Sequence, residues 1–574
     1  MWDKLKRFIS GTETMPLSSA SAAKQWFTGL GDLDPSGRIT AYLQLCKTLE
    51  AESEDPTSQV AALLWLEDRL YDSWAFLQEH YAQNPKMPKV MEEACWQLII
   101  NYANQQIRHW LREIKSEHFQ QLNVSQQTRI QALVLRYINV IAKFHYFRFK
   151  AVPEHLWPMA HQLIRAAEAA EAEAQPLVLH PEAQTSEGAT SCTDEYLTLI
   201  LLNTLSASGL TIRQIDMADQ WLHVWSRGVA LDRRFQPQKH HFGIDLAQAD
   251  GPTRIHAGIE SPSARYIDCN DLVVQIDKAI QAIRAGGSEI DNLGLPDSIR
   301  HPGASELLSF LHAQWSNTDR AKKRHSPRVM VNKLLDVALG FHHVASLIQA
   351  DNISRNGDSI KMGVDYDEMI DMRLYGFVSQ RTKAKQAATA KAVAAEAREK
   401  VPYETWLIQD ESEGGFGAVL PYTHAADDLK LGQILAVRLA EEENWHVATL
   451  RRVSLQDNKH YFAGIQLLGV DPVIALYHDE HTKSIGYVAT SAKGPGGVDL
   501  PPHKLAIFIE LSFEKEHNRS LLLRAEDFAN GKVMELHIEG KPRSLELLRV
   551  IEKGVDWVWA EVRPVYVVEE SIVM

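Results

Sequence analysis

The sequence predicts a multidomain α + β protein: a large all-α N-terminal region, then a C-terminal antiparallel β-barrel region holding one barrel or two in tandem. Three features carry that expectation. Apolar residues recur at three- and four-residue steps through the first part of the chain. An Ala/Lys/Glu-rich stretch interrupts the pattern at residues 379–400, and beyond Val401 it turns to short alternating runs between turn residues. The 574 residues are also too many for one hydrophobic core at the usual ~100 to 200 residues per domain.

The segments QVAALLWLEDRLYDSWAFLQEHY and EEACWQLIINYANQQIRHWLREI read as amphipathic helices, placing a helical domain over residues 1–173. The stretch QPLVLHPEAQTSEGATSC breaks the helical period with Pro, Gly, Ser and Thr, so residues 174–194 read as a linker. A second, mainly helical domain is expected over 195–378. It opens with TDEYLTLILLNTLSASGLT and passes through FGIDLAQADGPTRIHAGIESPSARYID, where Gly and Pro punctuate short β-like runs. It ends in VMVNKLLDVALGFHHVASLIQ, which reads as a mostly buried helix. No fixed repeat length emerges across these blocks. Residues 379–400, containing RTKAKQAATAKAVAAEAREK, suit a helical or flexible linker between the two compositions.

The β region contains TWLIQ, ILAVRL, HVATLRRV, YFAGIQLL, KLAIFIEL, SLLLRA, VMELHI, LELLRV and WVWAEVRPVYVV. So many short strands at close spacing predict a barrel over 401–470 and a second β-domain, a degenerate barrel copy, over 471–574. Gly432 followed by QILAVRL parallels Gly531 followed by KVMELHI, and the pair Arg452-Val453 parallels Arg549-Val550. Generic amphipathic strands can mimic so weak a repeat, so duplication and coincidence both stay open.

A net charge of −14, from 60 Lys and Arg against 74 Asp and Glu, gives no electrostatic reason to expect a nucleic-acid partner. Cys46, Cys95, Cys192 and Cys269 form no CxxC pair, which signals neither a zinc site nor a disulfide framework. No apolar run reaches the ~20 residues of a membrane span, and a cytoplasmic location is expected. The opening MWDKLKRFI reads as a short packing helix. The adjacent pairs His240-His241 and His342-His343 point apart on a helix, and His478 and His481 lack a third ligand, so no metal site is expected. The string AKGPGG near Lys493 lacks the order needed to cradle phosphate, and no catalytic constellation or cofactor motif is present.

The most informative string is TWLIQDESEGGFGAVLP, where a β-run reaches Asp410-Glu411-Ser412-Glu413-Gly414-Gly415 and another resumes after Phe416. Asp and Ser suit a turn because their side chains bond turn amides, and glycine permits positive φ. The spacing Asp410, Ser412, Gly415, with the strands that follow it, resembles the D/N-x-S-x-x-G motif and strand order of PilZ domains, bacterial receptors for cyclic di-GMP. The resemblance covers roughly residues 401–470. It implies a PilZ-like barrel whose candidate ligand is cyclic di-GMP, with Asp410 and Ser412 bonding a guanine or phosphate edge and Gly415 allowing close backbone approach. A turn held by its own Asp and Ser is the plain structural reading of the same residues.

Dinucleotide-binding relatives also carry R-x-x-x-R shortly before the first strand. The nearest candidate is Arg381 to Lys385, where lysine, a point charge, replaces the second flat guanidinium. A literal match at Arg320 to Arg324, followed by Arg328, stands far upstream and would reach the turn only by tertiary arrangement. Arg451 supplies further positive charge. The expectation is therefore a non-enzymatic regulatory or adaptor protein, with cyclic di-GMP at the barrel and an unidentified partner protein at the helical region. Ligand binding would reorder residues 379–400. The rival is a structural protein whose degenerate barrel is only a docking platform, favoured by Lys385. An enzyme would need an apolar pocket with convergent charges within 195–375.

Overall fold

Residues 17–47, 55–84, 87–184, 188–205, 209–316, 328–356, 366–421, 429–456, 460–477, 504–511, 518–538 and 541–565 are described by a computed structural model. The chain splits into two compact units, residues 1–322 and 323–574. The opening MWDKLKRFI, the pair Arg320 and Arg324, His478, His481 and Lys493 lie outside the described residues.

The first unit holds α1 (Ala20–Thr28), α2 (Pro35–Lys47), α3 (Pro56–Gln83), α4 (Lys89–Ile114), α5 (Val124–Tyr146), α6 (Leu156–Ala169), α7 (Cys192–Leu205), α8 (Ile212–Trp225), α9 (Asn270–Ala285) and α10 (Ala304–Trp315). Between α8 and α9 lies a four-stranded sheet in the order β1-β4-β2-β3, formed by β1 (Ala230–Asp232), β2 (His240–Asp245), β3 (Thr253–Arg254) and β4 (Ala264–Asp268). Helix α5 is the axis of the unit. Its start is fixed by a capping box between Asn123 and Gln126, and it packs against both α4 and α7.

Being buried on nearly all sides, α5 must neutralise its own cations. Arg129, Arg136 and Lys143 recur at heptad steps, and each meets an acid from a different helix. These are Asp68 of α3 at 2.6 Å, Glu195 of α7 at 2.7 Å and Asp219 of α8 at 2.7 Å. Burial alone would raise the Glu195 pKa, but Arg136 outweighs it and holds the carboxyl below its ordinary value.

Residues 174–194 are not a free linker. Leu177 and Thr190 form a β-bridge, Leu179 and His180 are buried, and Arg129 Nε donates to the Leu179 carbonyl at 2.8 Å. His180 Nε2 lies 3.2 Å from Glu67, itself fully buried. The Pro, Gly and Ser residues end the helical period, yet these anchors tie the segment down. One apolar core runs from Leu17 to Trp315, with no boundary between two helical domains.

The second unit begins with β5 (Val329–Leu339), followed by α11 (Phe341–Asn356), α12 (Tyr366–Tyr375) and α13 (Gln380–Glu399). Then come β6 (Glu404–Ser412), β7 (Gly415–Pro421), β8 (Ile434–Leu439), β9 (His446–Gln456) and β10 (His460–Leu467). These strands close a barrel in the order β10-β7-β6-β5-β8-β9. A second closed barrel, β11-β12-β13-β16-β15-β14, uses β11 (Val470–Tyr477), β12 (Lys504–Leu511), β13 (Asn518–Arg524), β14 (Val533–Ile538), β15 (Lys541–Lys553) and β16 (Trp557–Pro564).

Both barrels share one cyclic strand order, first-second-third-sixth-fifth-fourth. The weak repeat falls in register. Gly432 N bonds Leu450 O and Gly531 N bonds Leu547 O, each at 2.8 Å. Both glycines have positive φ, 73° and 76°. The duplication is thus a duplication of barrels.

Two expectations change. The segment VMVNKLLDVALG is a strand, not a helix. Leu335 and Val337 face the barrel interior while Ala338 packs on α11, so apolar residues on both faces erase the period-two signal. Residues 379–400 form α13, which packs on α11 inside the second unit. Helices α11 to α13 are an insertion between the first two strands of a barrel, and no domain boundary falls there.

Helix α11 lies in a core shared by both barrels. Phe341, Val344, Leu347 and Ile348 pack with Ile434 and Val447 of the first barrel, and with Ile474, Ile507 and Trp557 of the second. Among the described residues no helix is long and apolar enough to cross a membrane.

Candidate functional site

Asp410 and Ser412 stand at the end of β6, inside the strand, and Gly415 opens β7. The turn between them is Glu413-Gly414, closed by the pairing of Ser412 with Gly415, a two-residue hairpin. Ser412 Oγ donates to Gly415 O at 3.3 Å. Gly415 has φ of 151°, and a Cβ there would collide with the Ile465 carbonyl oxygen. Only glycine lets β7 approach β10 this closely.

The register between β6 and β7 shifts between Ile408 and Asp410, a bulge of the kind that re-aims a side chain. Asp410 consequently lies over Gly417, its partner in β7. A Cβ on Gly417 would sit 2.6 Å from the Asp410 carboxylate. Gly417 pairs in turn with Gly464 of β10. Gly415, Gly417 and Gly464 therefore form a strip without side chains of its own, onto which the Ile465 carbonyl, the Asp410 carboxylate and the Arg452 Cβ close in.

Arg328, the residue just before β5, meets Asp410 from the other side. Its Nη1 is 2.6 Å from Asp410 Oδ1, across the antiparallel β5–β6 pair in which Met330 opposes Asp410. The contact is a close charge pair without the alignment of a hydrogen bond, so this buried carboxylate oxygen has no aligned donor. Arg328 keeps 35% of its side chain exposed and Asp410 15%, which leaves the pair within reach of solutes.

On the far edge, Arg451 is the extra residue of a bulge in β9, between the pairs Gly464–Arg452 and Ile465–Leu450. Its Nε donates to Gln466 Oε1 at 2.6 Å, and Gln466 is the strand partner of Gly415. Its two Nη atoms bond both carboxylate oxygens of Glu552 in β15, at 2.5 and 2.6 Å. Arg381 and Lys385 lie on the first turns of α13, and the arginine at Asp410 is Arg328.

The chain carries two family matches. Residues 349–471 match the middle PilZ domain of the cyclic-di-GMP receptor FimW. The chain carries a PilZ domain. Residues 21–238 match the N-terminal domain of the same receptor, while no curated protein and no solved structure matches the chain. The PilZ match begins inside α11, yet the closed PilZ barrel requires β5 upstream of it. Arg328 therefore falls outside the matched span while touching its motif.

The sequence pattern alone does not bring Gly417, Gly464 and Arg328 to Asp410, nor Glu552 to Arg451. The Gly415-Phe416-Gly417 alternation was the available signal for the glycine strip, since residues two apart share a strand face. Among the described residues, no group of three His, Cys, Asp or Glu side chains is placed to hold a metal. A cavity of about 620 Å³ is lined by one face of α6 and residues 246–249, with Arg165 the charged residue in its lining.

Proposed function

We propose that the chain is a cyclic di-GMP-responsive bacterial regulator, binding the dinucleotide on the outer face of its first barrel. The observation that carries this reading is the 2.6 Å approach of Arg328 to Asp410. It brings Arg328, the second arginine of an R-x-x-x-R in the sequence that starts at Arg324, to the D-x-S-x-x-G motif. The match of two segments to domains of a cyclic-di-GMP receptor supports it.

The chemistry follows from the residue types. A carboxylate accepts hydrogen bonds and repels phosphate, so Asp410 takes the N1–H and N2–H edge of guanine while Ser412 bonds beside it. The glycine strip lets the base lie against the backbone. Arg324 and Arg328 supply flat guanidinium groups that stack on a base or grip phosphate oxygens in pairs. The clamp expected of Arg381 and Lys385 passes in this reading to Arg324 and Arg328. The docking-platform rival rested on Lys385 and loses that ground.

Transmission follows from position. Arg324 and Arg328 stand just past the division between the two units at residues 322 and 323. A ligand that fixes this junction biases the orientation of the helical unit, and with it the surface offered to a partner protein. No step of this reading uses a catalytic group or cofactor.

Calorimetric titration of the full chain with cyclic di-GMP tests it. Saturable binding is expected, weakened about 10- to 100-fold in Arg328→Ala and in Asp410→Ala by loss of a charge-assisted contact. Cyclic di-AMP, which lacks the guanine donors, should not compete. Absence of wild-type binding at high micromolar ligand would sink the proposal.

A further inference from the structure

The second barrel has no evident ligand motif of its own. In sequence its second hairpin repeats the spacing only as Glu510-x-Ser512-x-x-Lys515, without the glycine. It nevertheless sends a carboxylate to the edge of the first barrel's glycine strip. We propose that Glu552 occupies, in the ligand-free chain, the guanidinium fork of Arg451 that a phosphate of the dinucleotide takes over on binding. This rests on the site reading given above.

Three observations point the same way. The bulge in β9 turns Arg451 out of the regular alternation, and its Nε is held by Gln466, directly opposite Gly415. The guanidinium is thus anchored beside the glycine strip, on the side away from Arg328. Both of its Nη atoms are engaged by both oxygens of Glu552, the geometry in which two phosphate oxygens would sit. The Glu552 carboxylate stands in for that phosphate.

The pair is also open to exchange. Arg451 is 39% exposed and Glu552 22%, so solvent screens their attraction and a dianionic ligand can compete for the fork. Losing the pair does not part the barrels. The core around α11 remains, and Trp557 Nε1 still donates to Gly432 O at 2.8 Å. What changes on exchange is local: β15 loses its tie to β9, so the second barrel registers the ligand without binding it.

Removing a competitor raises affinity, whereas damaging a fold lowers it, and this separates the proposal from a merely structural role. Calorimetric titration of the full chain with cyclic di-GMP should show Glu552→Gln binding about two- to fivefold tighter than wild type, the range of a partly exposed ion pair. Arg451→Ala should bind more weakly, and the double variant should match Arg451→Ala. Hydrogen exchange around Glu552 should quicken on ligand saturation in wild type and stay unchanged in Arg451→Ala. Should Glu552→Gln unfold, Glu552→Asp, which shortens the reach to Arg451, gives the same sign of change.

Equal or weaker binding by folded Glu552 variants, beside a wild type that binds, overturns the competition while leaving the site intact. Unaltered binding by Arg451→Ala overturns it as well. Failure of wild type and variants alike to bind overturns the site reading itself.

Discussion

Gly417 has no room for a side chain because the Asp410 carboxylate already lies above it. Gly417→Ala should therefore leave the barrel folded, since a rotated Asp410 side chain relieves the clash. It should still weaken cyclic di-GMP binding about tenfold or more by misplacing the guanine acceptor. Titration beside a thermal melt checks both halves of the expectation. A second residue-scale consequence concerns acid. Burial, with help from Arg112, pushes the His109 pKa down to about 4. Burial, with help from Lys150, does the same to His145. Both rings are neutral in the fold and gain a proton on unfolding once the pH is below about 6.5. Their stabilisation is thus full above that value and is lost as pH falls towards 4. Asp68 works in the opposite sense, because burial lifts its carboxyl to about 6. Taken together, these three groups should lower the stability of the helical unit between pH 7 and 5 by about 2 kcal/mol. His109→Gln with His145→Gln should flatten that slope in urea titrations at the two pH values.

At the scale of elements, α11 is the joint of the second unit. Asp351, fully buried, accepts from Arg398 of α13 and from the Trp445 amide at 2.6 Å. The neighbouring Asn352 donates to Pro472 O at 3.1 Å and accepts from the Ile474 amide at 2.8 Å, which ties the helix to β11. Asn352→Ala leaves both strand groups without partners. It should cost about 1–3 kcal/mol of stability, read by urea denaturation, while cyclic di-GMP affinity stays at the wild-type value. The same joint explains what was legible in the sequence. Strand β14 faces solvent on one side, so it alternates and could be read, and the repeat of Gly432 and Gly531 was visible as a local turn signal. Strand β5 is covered on both faces at its C-terminal end and reads like a helix. In β11, Pro472 and the positive φ of Asp471 break the alternation. The motif of Asp410, Ser412 and Gly415 was visible because it is local. Its partner Arg328 was obscured because three inserted helices separate β5 from β6, and Glu552 because its tie to Arg451 is purely tertiary.

At the scale of the whole molecule, the boundary that matters lies near residue 323 and not near 401. A fragment of residues 401–574 lacks β5, leaves β6 and β8 with unpaired edges, and should be aggregated or unfolded. Residues 317–574 should fold and bind cyclic di-GMP, and circular dichroism with titration of the two fragments decides the matter. The insertion between β5 and β6 also sets a timetable for synthesis. Strand β5 leaves the ribosome well before β6, which starts at Glu404, and β8, which starts at Ile434. At about 5–20 residues per second the nascent chain carries VMVNKLLDVAL for several seconds with neither neighbour available. Barrel closure is then a late, non-local event. During that interval α11, the next element made, is the first apolar surface on which the waiting strand can settle.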